Sequence, residues 1–141
     1  MSDKKSMKEV EKYRQEILRD IQSPLGCTNM VEKLEDIMNK QKLFGSKFVK
    51  FGELNLEEKQ KWTKEFILCC MDELSEVLGH ISWKHWRTPG PVDEIEVKYE
   101  LVDLLHFLIS MMLVWDMDAE EVYTMYLAKN KENHDRQKRG Y

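Results

Sequence analysis

The sequence has few of the residues that interrupt helices, with 3 prolines and 6 glycines among 141 residues. Proline and glycine mark the tight turns between short strands, so their scarcity argues against a sandwich or barrel. All 3 prolines and 2 of the glycines lie in two breaker clusters, Ser23-Pro24-Leu25-Gly26 and Pro89-Gly90-Pro91. The stretches between these clusters are therefore expected to form long helices.

Cysteine is also scarce, and its spacing excludes a disulfide framework. Cys27, Cys69 and Cys70 are odd in number and form no C-x-x-C pair. Such usage is typical of a reducing compartment. The amino-terminal stretch MSDKKSMKEVEK lacks the apolar segment of a secretory signal. We therefore expect a soluble protein of the cytoplasm.

The sequence lacks both a long hydrophobic run and an excess of positive charge. No stretch reaches the roughly 18 apolar residues of a membrane span, because His106 and Ser110 interrupt the run 104–115. The formal net charge is -4, whereas a surface that follows nucleic-acid phosphates is normally basic. Neither a membrane nor a nucleic-acid polymer is an expected partner.

Hydrophobic periodicity indicates an all-α fold. Apolar residues recur at helical spacing, and no strand alternation is seen. Asp118 and Glu121 form a capping-box pair that starts the last helix. The predicted helical segments are about 3–22, 29–45, 56–81, 94–115 and 118 onward. We predict one domain over residues 1–141, a bundle of about five helices completed by homodimerisation.

Two acidic motifs, Glu73-x-x-Glu76 and Glu100-x-x-Asp103, occur on consecutive predicted helices. At about 100° per residue, each pair lies at the rim of an apolar stripe, offset in the same rotational sense. The stripes comprise Cys70, Leu74, Val77 and Ile81 on one helix, and Leu101, Leu104, Leu105 and Leu108 on the other. If the stripes pack together, the four carboxylates converge. The alternative is that both motifs are solvated helix surface.

A convergent set of carboxylates predicts a metal site. Like charges in close contact repel by about 4 kcal/mol per pair at an effective dielectric near 20, so such a cluster takes up protons or cations. Oxygen ligands favour Mg²⁺, or Mn²⁺ in its place. Lys129, Asn133 and Arg136 share one face of the last helix and suit phosphate oxygens. The alternative is a basic helix end that complements the helix dipole.

Taken in order, the motifs resemble those of a known family. They are Glu73-x-x-Glu76, the WKHW stretch at 83–86, Glu100-x-x-Asp103-x-x-His106, and the ending KNKENHDRQKRGY. They resemble the dimeric all-α dUTPases and the phage dCTP pyrophosphatases grouped with them, in the MazG-related all-α NTP pyrophosphohydrolases. The resemblance covers roughly residues 65–141, with a weaker echo in LEDIMNKQKLF. It implies Mg²⁺-dependent hydrolysis of dUTP, dCTP or both to the monophosphate and pyrophosphate, by a homodimer.

The resemblance also implies roles for individual residues. The metal ligands are Glu73, Glu76, Glu100 and Asp103, and Glu73 or Glu76 orients or deprotonates the attacking water. The phosphate-binding residues are Lys129, Asn133, Arg136 and Tyr141. His106 neighbours the deoxyribose, and the base pocket includes Gln41, Trp83 and Trp86. Phe44 stands where the dUTPase branch commonly has a base-reading Asn, which leaves both pyrimidines open.

Other readings of the same residues stay open. The tryptophans also suit a core or a dimer interface. His106 also suits a core position, and Gln41 also suits an exposed position. Three other functions compete: a MazG-like enzyme with another base specificity, a di-iron bundle, and a non-enzymatic helical interaction module. The di-iron reading is disfavoured because Gly79, not His, follows Glu76 at the required spacing. The apolar residues Met111, Met112, Leu113 and Trp115 exceed what a small bundle hides, and predict a partner surface.

Overall fold

The computed structural model describes residues 30–140, and every regular element in that range is an α-helix. The helices are α1 (Met30–Gly45), α2 (Leu56–His80), α3 (Glu94–Val114) and α4 (Ala119–Arg139). The predicted all-α class is confirmed for this part of the chain. The predicted first helix at 3–22, like Tyr141 and Cys27, lies outside the described residues. None of the four helices is long and apolar enough to cross a bilayer.

Side-chain caps set where three of these helices begin. Asn55 accepts a hydrogen bond from the Glu58 amide at 3.0 Å, and the Glu58 carboxylate accepts one from the Asn55 amide at 3.0 Å. Asp93 accepts from two amides in the first turn of α3. Asp118 accepts from the Glu121 amide at 2.8 Å, which confirms the predicted start of α4. Each cap satisfies amides that have no partner within the helix.

Helices α2 and α3 form an antiparallel pair. At one end the Trp115 indole Nε1 donates to Thr63 Oγ1 at 2.9 Å. At the other end His80 Nε2 lies 3.3 Å from Glu100 Oε1. Two further contacts join the helices: the Lys59–Asp116 ion pair and the Phe66–Phe107 ring contact. The pairing therefore brings the end of α2 beside the start of α3, where the two acidic motifs lie.

The small core lies at the carboxyl-terminal half of α3, where α1 and α4 meet. It consists of Met38, Ile109, Leu113 and Ala119, with Leu34, Phe51, Met112 and Val122 packed against it. Gly45 is the last residue of α1 and lies against the ring of Phe51. A Cβ at this position would lie only 2.8 Å from the ring, so the close approach suits glycine. The close approach lets the connector 46–55 fold back onto α1. This packing fixes the face of α1 that points toward α3.

The predicted apolar stripes are only partly buried. Cys70 is buried and Val77 is half-buried, whereas the exposed members are Leu74 (48 %), Ile81 (38 %), Leu101 (47 %), Leu105 (41 %) and Leu108 (38 %). Their assignment to the core is wrong for the single chain. Residues beside the stripes, such as Phe66 and Phe107, make the contact between α2 and α3 instead.

The apolar residues that were expected to form a partner surface are mostly not exposed. Leu113 is buried in the core, and Met111 and Met112 are half-buried. Only Trp115 of that group is exposed. Among the exposed apolar side chains of the described residues are four leucines of the two stripes. We call the set Leu74, Leu101, Leu105 and Leu108 the leucine face.

Candidate functional site

The two acidic motifs meet where α2 and α3 run side by side. One carboxylate oxygen each of Glu73, Glu76 and Glu100 lie within 4.8 Å of one another. Glu100 is buried at 8 % exposure, Glu73 is half-buried and Glu76 is exposed. Asp103 lies beside Glu73 in the lining of one pocket. The structure thus brings together all four of the acids that the sequence singled out.

The pKa of Glu73 is raised by its position in this cluster. Burial of its carboxyl, followed by the charges of Asp103, Glu76 and Glu100, raises its pKa from 4.5 to about 7. A hydrogen bond to Glu100 adds to the shift. The group therefore retains a proton near neutral pH unless a cation takes its place. An all-oxygen donor set of this kind fits Mg²⁺ or Mn²⁺.

Two residues that sequence reasoning missed border the same cluster. His80 and Glu96 each place a ligand atom within 4.8 Å of Glu100 and of each other. Glu100 therefore belongs to two groups of donor atoms, one with Glu73 and Glu76 and one with His80 and Glu96. The sequence held a signal for them. His80 follows Glu76 by four residues and Glu96 precedes Glu100 by four, and residues at that spacing share a helix face.

A pocket of about 560 Å³ opens beside the acids, between α1, α2 and α3. Its apolar walls are Ile37, Phe44 and Phe107, and its polar lining comprises Lys40, Gln41, Glu73, Asp103 and His106. Aromatic walls next to carboxylates suit a ligand that joins a flat ring to a metal-bound anion. The predicted ligand residues Gln41 and His106 both reach this pocket.

His106 and Gln41 are held by neighbours within the site. His106 Nδ1 lies 3.4 Å from Asp103 Oδ1, and its side chain is about half exposed rather than part of the core. Gln41 Nε2 donates to Ser110 Oγ at 3.0 Å. Ser110 was not among the predicted site residues, and nothing in its sequence context distinguishes it from another helical serine.

The predicted phosphate residues of α4 lie outside the pocket lining. Lys129 Nζ donates to Glu132 at 3.0 Å and Arg136 to the same carboxylate at 2.5 Å. The hydrogen bond from Lys129, with the charge of Arg136, lowers the pKa of Glu132. Asn133 is exposed beside them. Among the described helices α4 contacts α1, so the phosphate role of these residues stays a prediction.

The two tryptophans form an exposed edge-to-face pair in the loop after α2. The ring centroids of Trp83 and Trp86 are 5.8 Å apart, and both side chains are largely solvent-exposed. Neither residue belongs to the lining of the pocket that holds Gln41. The structure of the single chain does not bring them to the other predicted base contacts, and their role stays a prediction.

Comparison with known proteins places the site within a matched region. A family model described as dUTPase matches residues 33–119. That range includes Gln41, all four acids and His106, and it ends before the basic part of α4. No solved structure matches the chain.

Three phage proteins are similar to the chain. A dCTP pyrophosphatase of Enterobacteria phage T4 is 35 % identical over 104 residues, covering 57 % of this chain and 61 % of the relative. A dCTP pyrophosphatase of Enterobacteria phage LZ5 is 37 % identical over 71 residues, covering 42 % and 41 %. A DNA replication protein of phage T4 is 33 % identical over 94 residues, covering 50 % and 24 %. The chain thus spans less than two thirds of each relative's length.

Proposed function

The chain belongs to the all-α dUTPase family, and from that premise we propose that it is a Mg²⁺-dependent pyrophosphohydrolase of pyrimidine deoxynucleoside triphosphates. The substrate is dCTP, dUTP or both, and the products are the monophosphate and pyrophosphate. The observation that carries the proposal is the meeting of Glu73, Glu76 and Glu100 within 4.8 Å. The names of two phage relatives, both dCTP pyrophosphatases, support the choice of substrate class.

The residues that would hold the metal are the four acids: Glu73, Glu76, Glu100 and Asp103. Mg²⁺, with Mn²⁺ as a substitute, supplies neutralisation of the charge on the phosphate oxygens and lowers the pKa of a bound water. Glu100 is buried and supplies a ligand atom to both groups of donor atoms. The donor chemistry of the cluster fits this role without any change in the helices.

Glu73 is the candidate for the proton acceptor in hydrolysis. A general base must lie within reach of the proton that it removes, and Glu73 lines the pocket beside the other acids. Its carboxylate would take a proton from the attacking water. The water oxygen then bonds to the α-phosphorus, as the bond from that phosphorus to the oxygen bridging the α- and β-phosphates breaks. Pyrophosphate leaves with the electron pair of that bond.

The remaining groups would position the substrate. Gln41 and the aromatic walls of the pocket suit the base, and His106 the sugar. Lys129, Asn133 and Arg136, with Tyr141, would hold the phosphates as charge-assisted hydrogen-bond donors. Helix α4 packs on α1, which itself lines the pocket, so the basic face and the pocket belong to adjacent helices.

The exposed leucine face supports a homodimer. Its side chains lie on α2 and α3, beside the acidic cluster, where a second copy of the chain would cover them. Burial of apolar area contributes about 25 cal/mol per Å², so leaving this face in water is unfavourable. We place the enzyme in the cytoplasm, with neither a membrane nor a nucleic-acid polymer among its partners.

A panel of deoxynucleoside triphosphates tests the proposal. The purified chain is incubated with each of dCTP, dUTP, dTTP, dATP and dGTP and with Mg²⁺, and products are followed by ³¹P NMR. We expect monophosphate and pyrophosphate from dCTP, dUTP or both, and no turnover without the cation. Hydrolysis of purine substrates alone would identify a MazG-like enzyme of other specificity. No hydrolysis of any substrate would leave a helical interaction module, which the exposed leucine face would also suit.

The substitution Glu76→Gln tests the metal-holding cluster itself. Removing one electrostatic stabiliser commonly lowers kcat about 10²- to 10³-fold, and we expect a loss of that order at saturating Mg²⁺. Asp72→Asn is the matched control, since Asp72 is exposed on the same helix and belongs to neither group of donor atoms. Circular dichroism checks that both variants fold. Near-normal turnover by Glu76→Gln would refute the assignment.

A further inference from the structure

Ser110 is a buried hydroxyl behind the pocket. It lies on α3 at 2 % exposure and is not among the residues that line the pocket. A buried hydroxyl normally finds hydrogen-bond partners, and Ser110 has two. Its Oγ donates to the His106 carbonyl at 2.9 Å and accepts from Gln41 Nε2 at 3.0 Å.

These two bonds fix the orientation of the Gln41 amide. A serine hydroxyl carries one hydrogen, and Ser110 gives it to the carbonyl four residues earlier in its own helix. Its oxygen can then only accept, so the group that Gln41 presents to it must be the NH₂. The Oε1 oxygen, at the other corner of the same planar group, is turned away from Ser110.

The orientation determines what the pocket offers to a ring. The apolar walls Ile37, Phe44 and Phe107 carry no side-chain hydrogen-bonding group, so along this side of the pocket Gln41 supplies the directional contact. Since one amide hydrogen is committed to Ser110, the group best placed to face the ring is the Oε1 acceptor. An outward acceptor pairs with an N–H donor of the base, which is the 4-amino group in cytosine and N3–H in uracil, and it opposes the uracil oxygen at position 4.

We propose that Ser110 is a positioning residue that sets base selectivity by holding the Gln41 carbonyl toward position 4 of the nucleobase. The pocket therefore prefers cytosine, whose amino group donates, over uracil, which has a carbonyl oxygen at the same ring position. This inference rests on the proposed function and adds to it the choice between the two pyrimidines and the residue responsible. Ser110 touches neither the substrate nor the acids and acts through Gln41.

The test measures kcat/KM for dCTP and for dUTP in the wild-type chain and in Ser110→Ala. The wild type is expected to favour dCTP. Without the hydroxyl the amide can turn over and present either its oxygen or its NH₂, so the dCTP-to-dUTP ratio should fall about tenfold. The kcat for dCTP should change less than about twofold, because the acids are untouched. A defect of folding alone would lower both activities together and leave the ratio in place.

Two variants serve as matched control and rescue. Ser46→Ala removes a similar bond, from Ser46 Oγ to the Lys42 carbonyl at 2.7 Å, at an exposed position without an amide partner. It should leave the ratio unchanged. Ser110→Thr keeps the hydroxyl and should retain most of the wild-type ratio. If Ser110→Ala does not fold, Gln41→Met removes the carbonyl from a half-buried position on another helix and should also lower the ratio.

Binding provides a readout apart from turnover. Calorimetry with the α,β-imido analogues of dCTP and dUTP should show the same change of preference in Ser110→Ala. A wild type that favours dUTP, or a ratio unaffected by Ser110→Ala, overturns this inference while the proposed function stands. A wild type that hydrolyses neither nucleotide overturns both.

Discussion

Glu73 shows how a modest degree of burial becomes chemically useful when like charges surround it. The side chain is only half-buried, yet the loss of water, followed by the charges of three neighbouring acids, raises its pKa to about 7. The cluster is therefore costly without a counter-ion and becomes favourable when a proton or a cation enters it. The same carboxylates that repel one another in the free protein would attract a divalent ion.

This pKa predicts how the stability of the cation-free protein depends on pH. The unfolded chain has a Glu73 pKa near 4.5 and the folded chain one of about 7. Between these values the folded state holds a proton that the unfolded state has released, so the free energy of unfolding falls as pH rises. Urea unfolding in EDTA at pH 5, 6 and 7 should show this fall. Glu73→Gln should flatten it, and added Mg²⁺ should restore stability at pH 7.

Asp72→Asn is the control for this series because it removes an adjacent acid that is exposed. It should leave the slope with pH as it is in the wild type. A wild-type stability that rises steadily from pH 5 to 7 in EDTA would contradict the raised pKa.

At the level of single residues, the sequence predicted the acids better than their supporting groups. Glu73, Glu76, Glu100 and Asp103 follow from a repeated spacing on two helices, which periodicity can detect. Ser110, by contrast, is identified by a contact between helices, the 3.0 Å hydrogen bond from Gln41. Such contacts depend on the axial offset of the helices, which a pattern within one helix does not specify.

The helices themselves were largely predictable because their ends are chemically marked. Asn55 with Glu58, and Asp118 with Glu121, satisfy the free amides of a first turn and identify the starts of α2 and α4 within a residue. The four described helices agree with four of the predicted segments. Helix boundaries depend on neighbours in sequence, so local chemistry suffices to place them.

Helix α4 has a basic face on which Lys129 and Arg136 are both paired with one acid, Glu132. Glu132 accepts hydrogen bonds from both Lys129 and Arg136. Both cations are exposed, so their pairing with Glu132 contributes little to stability. A triphosphate could therefore compete with Glu132 for the same donors.

The substitution Lys129→Met tests whether this face binds phosphate. A charge-assisted hydrogen bond contributes about 1.5–3 kcal/mol, so we expect KM for the triphosphate to rise at least about tenfold with a smaller change in kcat. Steady-state kinetics at saturating Mg²⁺ measures both. Lys131→Met removes an equal charge two residues away, on another side of the helix, and should leave KM near the wild-type value. Equal effects of the two variants would indicate general electrostatics rather than a site on this face.

For the molecule as a whole, the leucine face is the feature that periodicity misassigned. A helical pattern reports that a stripe is apolar and not whether the same chain or another chain covers it. Within the described part of the chain, the four residues of the leucine face are between 38 % and 48 % exposed. Exposed apolar surface is typical of an interface between subunits when it forms a large patch.

The proposed homodimer predicts a measurable change of mass. The chain has a mass of 16.9 kDa, and light scattering coupled to gel filtration should find twice that value for the wild type. Leu105→Glu places a charge in the leucine face and should shift the protein toward the monomer. Leu43→Glu, at a more exposed leucine on α1, is the control and should remain dimeric. A wild type that elutes as a monomer at micromolar concentration would refute the dimer.

Two of the contacts that hold α2 against α3 lie far along the helices from the acids. The Lys59–Asp116 ion pair and the Thr63–Trp115 hydrogen bond clamp one end, while Glu73 stands near the other. A single residue inserted into α2 after Thr63 would turn its glutamates by about 100° and aim them off α3. Extra residues in the loop 81–93 would leave both helices as they are. Added length in the loop therefore leaves the acids together, whereas added length within either helix separates them.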